Sequence, residues 1–321
     1  MPLPASLEGK LRVPLIGAPM FIVSGPELVI AQCQAGIVGS FPALNARPQN
    51  ILGEWIKQIR GSLGAYAEDN PGEPVAPFAV NQIAHASNKR LREDMETCVE
   101  HQVPIIITSL RPPEDVVTAV HSYGGLVFHD VISLRHARKA IEQGVDGVIA
   151  VCAGAGGHAG PLSPFALVKE IRKEFDGTVI LSGCITSGQD VLAAKAMGAD
   201  LAYSGTRFIA SDEANAVPAY KEMVVDSDAS GIAYSSFFTG IPGSYLKGSI
   251  TNAGLDPDNL PDGSKSDMDF AAASKPDAKA WKDIWGAGQG VGNIDAVLPA
   301  REIVLNIERE YEEALAGLVA G

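Results

Sequence analysis

Short apolar runs alternate with amphipathic stretches along the first two thirds of the chain. We count about eight such pairs between Val13 and Phe208, and eight is the number of βα units that closes a barrel. A doubly wound sheet is the competing topology, but consecutive units without a long interruption favour closure. The pattern therefore predicts an α/β fold, a (βα)8 TIM barrel, with strands at Pro14–Ala18, Ile37–Phe41, Phe78–Asn81, Pro104–Ser109, Leu126–Asp130, Gly147–Cys152, Val179–Ser182 and Leu201–Gly205.

Helical periodicity fills the gaps between these strands. Apolar residues recur at the spacing of one helix face over Leu91–Val99. Ser133–Gly144 and Ser187–Gly198 each begin with a capping serine and end with glycine, the residue typical of a helix C-terminus. Asp190 stands three residues after Ser187, which is the spacing of a capping box.

The rhythm changes after Phe208. Ser211–Met223 is predicted as one more helix, and Ser227–Lys275 is rich in Gly, Pro, Ser, Asp and Asn. Long irregular segments of this kind are usually lids or binding loops, although a surface excursion or an oligomer contact remains an alternative. Ile294–Val319 is predicted as a closing helix. We therefore expect a barrel at 1–223, a cap or lid at 224–292 and a C-terminal helix at 293–321 that closes onto the barrel.

Charge and composition narrow the class of protein. The net charge of -13 disfavours a nucleic-acid or anionic-membrane partner, because both need clustered Lys and Arg. Met1–Pro4 shows no basic region followed by an apolar core, so no signal peptide is expected and we expect a cytoplasmic protein. The charge-free run Gly147–Val168 is broken by glycines, prolines and His158, so it does not predict a membrane span.

The four cysteines, at positions 33, 98, 152 and 184, contain no C-x-x-C pair. This scatter is typical of reduced thiols and argues against a disulfide framework or a zinc site. We expect all four to be buried as small apolar side chains, and no metal is expected.

The segment Val151–Gly160 opens from an apolar run into a glycine-dense loop that carries one histidine. Glycine lets a backbone approach a ligand without a Cβ in the way. The loop joins a strand to a helix, with Ser163 as the expected cap and Pro164 at the first helical position. Chemistry in α/β folds is concentrated at such positions, so His158 is the candidate catalytic residue.

Two short loops, Ser182–Gly188 and Ser204–Phe208, follow the seventh and eighth predicted strands. Barrels commonly bind a phosphate with these two loops and a helix N-terminus, where unpaired backbone N–H groups favour negative charge. Either loop alone could simply end a strand, but the two together favour a phosphate site. The role of Arg207 stays open between a phosphate ligand and a surface ion-pair partner.

On the opposite side of the barrel, the first predicted strand leads into Gly17–Met20 and the third ends at Asn81. An apolar methionine beside a backbone turn and a carboxamide can together hold a flat heterocycle. Taken singly, the two side chains would be a core methionine and a strand-end asparagine.

These segments, together with Ala287–Gln289, resemble the nitronate monooxygenase family, formerly called 2-nitropropane dioxygenases. The family is related to flavin-dependent enoyl reductases and NADH:quinone reductases. The resemblance covers nearly the whole chain, and its most specific element is the Gly-Gly-His-x-Gly loop at Gly156–Gly160. It implies a βα barrel with an added cap and non-covalently bound FMN.

Carried over to this chain, the resemblance implies that His158 is the catalytic residue. It places Met20 against the isoalloxazine ring and Asn81 at its edge. Cys184 departs from the glycine or alanine that relatives often carry, but its backbone N–H survives as a phosphate donor. The complete set of implied FMN contacts is Ala18, Pro19, Met20, Asn81, His129, Gly156, Gly157, Ser182, Gly183, Cys184, Ser204, Gly205, Thr206 and Gln289.

The reaction that the resemblance implies is oxidation of an alkyl nitronate by O2 to a carbonyl compound and nitrite. Two phosphate-binding loops without a G-x-G-x-x-G motif predict FMN rather than FAD. One alternative is a reductase that transfers hydride from NAD(P)H to a quinone or an enoyl thioester, and it would use the same FMN site. An alternative of another class is a barrel without flavin that binds a phosphorylated metabolite.

Overall fold

The computed structural model describes residues 3–85, 87–111, 114–263 and 281–320. Its strands lie in two sheets and are numbered in chain order. They are β1 (Leu15–Gly17), β2 (Gly39–Pro42), β3 (Phe78–Ala84), β4 (Ile105–Leu110), β5 (Leu126–Val131), β6 (Gly147–Val151), β7 (Gly157–His158), β8 (Thr178–Ser182), β9 (Leu201–Ser204), β10 (Ile232–Ser235) and β11 (Gly243–Leu246).

Eight of these strands form a parallel barrel in the order β1-β9-β8-β6-β5-β4-β3-β2. The first and last strands of this order meet, because Ile16 bridges to Val38 and the Gly17 N–H donates to the Val38 carbonyl at 2.8 Å. Every predicted strand overlaps an observed one. The TIM-barrel prediction is therefore confirmed.

Side chains of the barrel strands alternate between two apolar layers. On β4, Ile105 and Ile107 point into the barrel interior, while Ile106 packs in the outer layer between strands and helices. Phe128 and Ile149 on the two following strands are fully buried in the same interior. The interior is thus a packed core, and only the ends of the barrel are available for a ligand.

The helices surround the barrel, and two of the three predicted serine caps form. Ser163 lies at the N-cap position before Pro164, but its side chain makes no capping hydrogen bond. The Ser133 hydroxyl accepts a bond from the His136 N–H at 3.3 Å, and Ser187 forms the expected capping box with Asp190. No helix within the described ranges is long and apolar enough to span a bilayer. The helices are α1 (Pro26–Gln34), α2 (Leu52–Asp69), α3 (Leu91–Glu100), α4 (Glu114–His121), α5 (Leu134–Glu142), α6 (Pro164–Arg172), α7 (Gly188–Met197), α8 (Thr206–Ile209), α9 (Pro218–Val225), α10 (Lys247–Asn252) and α11 (Ala300–Ala320).

Two predicted helix starts were wrong, and a proline explains each. The helix predicted from Ser211 begins only at Pro218, because the proline ring disfavours helical geometry in the preceding residue, which is extended. The closing helix predicted from Ile294 begins at Ala300, directly after Pro299. The segments that precede these two prolines instead meet at one β-bridge, between Ser211 and Leu298.

The segment after α9 forms a small sheet in the order β10-β11-β7. Gly243 and Ser244 of β11 pair with His158 and Gly157 of β7, which lie in the connection between β6 and α6. The cap segment and the histidine loop are thus one structural unit. Residues 264–280 of the predicted cap or lid lie outside the described residues, and the domain boundaries stay a prediction.

Candidate functional site

A cavity of about 800 Å³ opens at the carboxyl ends of the barrel strands, beneath the small sheet. This is the end at which TIM barrels carry their active sites, and the volume suits a cofactor or drug-sized ligand. The structure brings thirteen of the fifteen candidate residues to its wall. They are Ala18, Pro19, Met20, Asn81, His129, Gly156, Gly157, His158, Ser182, Gly183, Cys184, Gly205 and Thr206.

The other two candidates, Ser204 and Gln289, lie behind this wall. The Ser204 hydroxyl donates to the Ile185 carbonyl at 2.7 Å and so supports the loop after β8 from below. Gln289 is exposed, and its backbone N–H donates to the Gly154 carbonyl at 2.9 Å. Both residues therefore act on the loops that form the cavity, and direct contact with a cofactor stays a prediction for them.

The loop after β8 presents unpaired backbone donors. Gly183 and Cys184 have φ values of +141° and +56°, and a Cβ on Gly183 would lie 2.9 Å from the Ala153 carbonyl oxygen. The backbone N–H groups of Gly183, Cys184 and Gly205 form no hydrogen bond with any residue that the structure describes. Two adjacent loops therefore present free N–H donors to the cavity, which is the arrangement that binds a phosphate.

The prediction that all four cysteines are buried was wrong for one of them. Cys33, Cys98 and Cys152 are buried, whereas Cys184 is exposed. The left-handed backbone at Cys184 turns the chain out of the sheet at the cavity wall, so the residue stands on the loop instead of in the core.

Arg207 is neither a wall residue of the cavity nor a surface ion-pair partner. Its side chain is buried, and Nη1 donates to the Ala296 carbonyl at 3.2 Å and to the Ala210 carbonyl at 3.5 Å. Burial lowers the pKa of this guanidinium from its usual value. Arg207 thus ties α8 to the segment that leads into α11.

His158 is held by the small sheet and by two neighbouring side chains. Its Nε2 lies 2.8 Å from the Thr239 hydroxyl, and its ring meets the ring of Trp281 edge-on with centroids 5.3 Å apart. The Thr239 hydroxyl also lies 3.1 Å from the Ile241 carbonyl oxygen, so it connects the imidazole ring to the backbone before β11. Burial lowers the pKa of His158 to about 4, so the imidazole is neutral at physiological pH.

Sequence reasoning missed Thr239 and Trp281 as neighbours of the catalytic candidate. Both are far from position 158 in the chain, and neither stands in a motif with a known spacing to a histidine. The pairing of β7 with β11 is what brings Thr239 close. No local signal in the sequence predicts that contact.

Two glycine-rich loops pack backbone to backbone at the side of the cavity. A Cβ on Gly156 would lie 2.8 Å from the Gly288 nitrogen, and one on Gly288 would lie 2.5 Å from the Gly154 carbonyl oxygen. The Gly288 N–H donates to the Thr206 hydroxyl at 2.9 Å. The glycines of both loops are therefore required by close approach, and Thr206 joins them to the phosphate-type loop after β9.

A chain of hydrogen bonds crosses the floor of the cavity. Asn81 Nδ2 donates to the Ser109 hydroxyl at 3.0 Å, and that hydroxyl donates to Asp130 Oδ2 at 2.6 Å. Asp130 Oδ1 is buried and has no hydrogen-bond partner among the described residues. Beside this chain, His129 Nδ1 lies 2.8 Å from the Thr108 hydroxyl. An unpartnered buried carboxyl oxygen at a ligand cavity indicates a group that a ligand contacts.

Burial shifts the pKa values of both ionisable groups on this floor. It raises the pKa of Asp130 to about 6, although the hydrogen bond from Ser109 acts in the opposite direction and lowers this pKa. It lowers the pKa of His129 to about 4, with a further contribution from the charge of His136. The floor therefore carries a neutral imidazole and a carboxyl group that gains its charge only near neutral pH.

Replacing Asp130 with asparagine is expected to stabilise the flavin-free protein at pH 8 and not at pH 4. The folded state holds the Asp130 proton more tightly than the unfolded chain, so wild-type stability is lost as pH rises from about 4 through about 6. A rise of the pKa from 3.8 to about 6 corresponds to a penalty of about 3 kcal/mol at high pH. Urea unfolding at the two pH values measures the difference, and an Asp130→Asn effect that is equal at both would contradict the buried ionisation.

Comparisons with known proteins agree with this geometry. A family model described as nitronate monooxygenase matches residues 6–310. A nitronate monooxygenase of Paraburkholderia phytofirmans is 25% identical over 350 aligned positions, which cover 95% of this chain and 94% of that protein. A Mycobacterium tuberculosis protein is 30% identical over 247 positions, and the match covers 73% of this chain and 66% of that protein.

Among solved structures, a single-substitution variant of FabK from Thermotoga maritima superposes with a TM-score of 0.75 at 25% identity. The match covers 98% of this chain and 97% of the FabK chain, so it includes the barrel and the segment after it. With the family model spanning both phosphate-type loops and the histidine loop, the chain belongs to the nitronate monooxygenase family of oxidoreductases.

Proposed function

We propose that this protein is an FMN-dependent nitronate monooxygenase, which oxidises an alkyl nitronate with O2 and releases a carbonyl compound and nitrite. The observation that carries the proposal is one cavity whose wall holds both the free N–H groups of two phosphate-type loops and His158. Membership of the nitronate monooxygenase family supports the same reaction.

The residues at the cavity fit a flavin mononucleotide. The backbone N–H groups of Gly183, Cys184 and Gly205 are donors for one phosphate group, so the two loops can bind it through the backbone alone. Met20 and Pro19 supply apolar surface, and Asn81 and Asp130 supply polar groups for the edge of a heterocycle. A single phosphate cradle fits FMN better than the dinucleotide FAD.

When bound, FMN supplies the electron chemistry of the reaction. The chain itself has to bind the nitronate, orient it and exclude water. The neutral imidazole of His158 lies at the cavity wall, where it orients the substrate, and the hydrogen bond between Nε2 and the Thr239 hydroxyl fixes its ring. The small sheet carries this loop and contributes Gly157, His158 and Tyr234 to the cavity wall, where they displace water from the bound substrate.

Two measurements test the proposed function. Mass spectrometry of the chromophore released by heat is expected to identify FMN. Anaerobic mixing with ethylnitronate or propionate 3-nitronate is expected to bleach the flavin spectrum, and admission of air is expected to release nitrite. Rapid bleaching by NADH with no response to either nitronate would move the assignment to a reductase, and a protein that gains no flavin on reconstitution would remove the flavin proposal.

A further inference from the structure

The mouth of the cavity carries three basic side chains, which we call the cationic rim: Arg111, His136 and Lys139. All three line the cavity and are exposed. Arg111 follows β4, whereas His136 and Lys139 stand three residues apart on α5, a spacing that places them on one helix face. Arg111 and Lys139 are the cations of this rim, whereas burial and the charges of Arg135 and Lys139 lower the pKa of His136. Two neighbouring barrel units therefore contribute one positive side chain each to the same opening.

The rim is notable because the protein as a whole is acidic, with 38 Asp and Glu against 25 Lys and Arg. Elsewhere on α5, Arg138 is paired with Glu174 at 2.6 Å. Within the described ranges, no ion pair involves Arg111, His136 or Lys139, although Glu114 and Asp115 begin the helix after Arg111. The rim cations are thus available to an external anion.

Exposed apolar side chains lie next to the rim. Leu110 and Ile132 both line the cavity, and each keeps 38% of its surface exposed. Leu110 has a φ of +81°, a conformation that is strained for a residue with a branched side chain. Strained backbone of this kind is concentrated at ligand sites, where it sets the direction of a side chain.

Ile132 connects the rim with the catalytic candidate. A Cβ on Gly160, two residues after His158, would lie 2.8 Å from the Ile132 Cβ, so the histidine loop packs directly on Ile132. Two residues later, α5 begins and carries His136 and Lys139. A ligand that extends from His158 along the wall therefore passes apolar surface before it reaches the cations.

We propose that the cationic rim binds a second anionic group at the far end of an extended substrate. The substrate class is a nitronate with an apolar tail that contacts Leu110 and Ile132 and ends in a carboxylate or a phosphate. The terminal anion pairs with Arg111 and Lys139. This inference rests on the proposed function for the reacting end of the substrate, and it adds the chemistry of the other end.

The test compares the nitronates of 6-nitrohexanoate and 1-nitroheptane, which differ in whether the tail ends in a carboxylate. The wild-type holoenzyme is expected to favour the carboxylate by about threefold to tenfold in kcat/KM, the scale of exposed ion pairs. Lys139→Gln is expected to remove most of this preference. Arg135→Gln is the matched control, because Arg135 is exposed on α5 and does not line the cavity.

Equal kcat/KM values for the two substrates in the wild type would contradict binding of the terminal anion by the cationic rim. The same holds if Lys139→Gln and Arg135→Gln lose the preference for the carboxylate substrate to the same extent. Calorimetric titration with heptanoate and with hexyl phosphate separates the two sources of the anion and needs no turnover. If either ligand binds and Lys139→Gln weakens that binding, the result supports an anion site at the cationic rim, even if the protein releases no nitrite. Nitronate oxidation without binding of either anion would retain the proposed function and reject the rim.

Discussion

Replacing His158 with asparagine is expected to lower kcat with a nitronate by roughly 100-fold or more while the protein keeps its FMN. The donors of the phosphate-type loops are backbone N–H groups of Gly183, Cys184 and Gly205, none of which belongs to the imidazole, so cofactor binding is expected to survive its replacement. Steady-state nitrite release measures kcat, and the flavin spectrum of the purified variant measures cofactor content. Wild-type rates in a variant that holds a full complement of flavin would contradict a role for His158 in the reaction.

The low pKa of His158 adds a second, independent readout. Burial lowers this pKa to about 4, so the neutral imidazole predominates above about pH 5. The activity of the wild type is therefore expected to show no inflection from this residue between pH 5.5 and pH 8. An inflection in that interval that disappears in His158→Asn would show that the histidine titrates there. Bound substrate or cofactor would then raise its pKa back toward the ordinary value of a histidine.

Two control variants separate chemistry from structure at this position. Thr239→Val removes the hydroxyl that lies 2.8 Å from Nε2 but keeps the shape of the side chain, so it tests positioning of the ring. We expect Thr239→Val to lower kcat by about tenfold, which is the scale of one hydrogen bond and less than the loss expected for His158→Asn. His121→Asn alters an exposed histidine of α4 outside the cavity, and its kcat is expected to equal that of the wild type.

The barrel and most of its active end were accessible from the sequence, because their signals are local. Strands appear as short apolar runs, and the serine and glycine caps of α5 and α7 mark helix ends. In a parallel barrel, the carboxyl ends of all strands meet at one face. Residues as distant in the chain as Met20 and Gly205 could therefore be assigned to the same end of the barrel. Their predicted placement on opposite sides of it was wrong, because β1 pairs with β9 and a Cβ on Gly205 would lie 3.6 Å from the Met20 Sδ atom.

What the sequence did not predict depends on contacts between distant segments. Asp130 follows His129 at the end of a predicted strand, yet its unpartnered oxygen becomes visible only once Ser109 and the floor of the cavity are in place. The rim has the same origin, since Arg111 and Lys139 belong to different βα units. The sequence left Arg207 open between a phosphate ligand and a surface ion-pair partner, and packing against the segment before α11 instead directs it inward.

The same kind of distant contact fixes the loop after β8 through the C-terminal helix. Gly188, the first residue of α7, donates its N–H to Glu310 of α11 at 2.8 Å. Asp190 in turn accepts from the N–H groups of Thr186 and Ser187 at 2.8 and 2.9 Å. The packing of α7 on α11 therefore sets the position of the loop that presents Gly183 and Cys184 to the cavity.

Replacing Gly188 with alanine is expected to destabilise the protein by about 3 kcal/mol or more and to weaken FMN binding. A Cβ at this position would lie 2.1 Å from the Tyr311 nitrogen and 2.2 Å from the Ile307 carbonyl oxygen. Both are backbone atoms of α11, so no side-chain rotation relieves the clash and the two helices have to separate. Urea unfolding measures the stability, and quenching of flavin fluorescence on titration of the flavin-free protein measures FMN affinity.

Gly64→Ala is the matched control for this substitution. Gly64 lies within α2, and a Cβ added there would meet no atom within 4 Å, so alanine is expected to be neutral or to stabilise by up to about 1 kcal/mol. If Gly188→Ala yields no folded protein, Glu310→Gln weakens the same helix contact by removing only the charge, and a loss of about 1 kcal/mol is expected. Equal stability and equal FMN affinity of wild type and Gly188→Ala would show that α11 does not hold the phosphate-type loop. The C-terminal helix would then be an independent addition to the barrel, whereas the expected result makes it a structural support of the cofactor site.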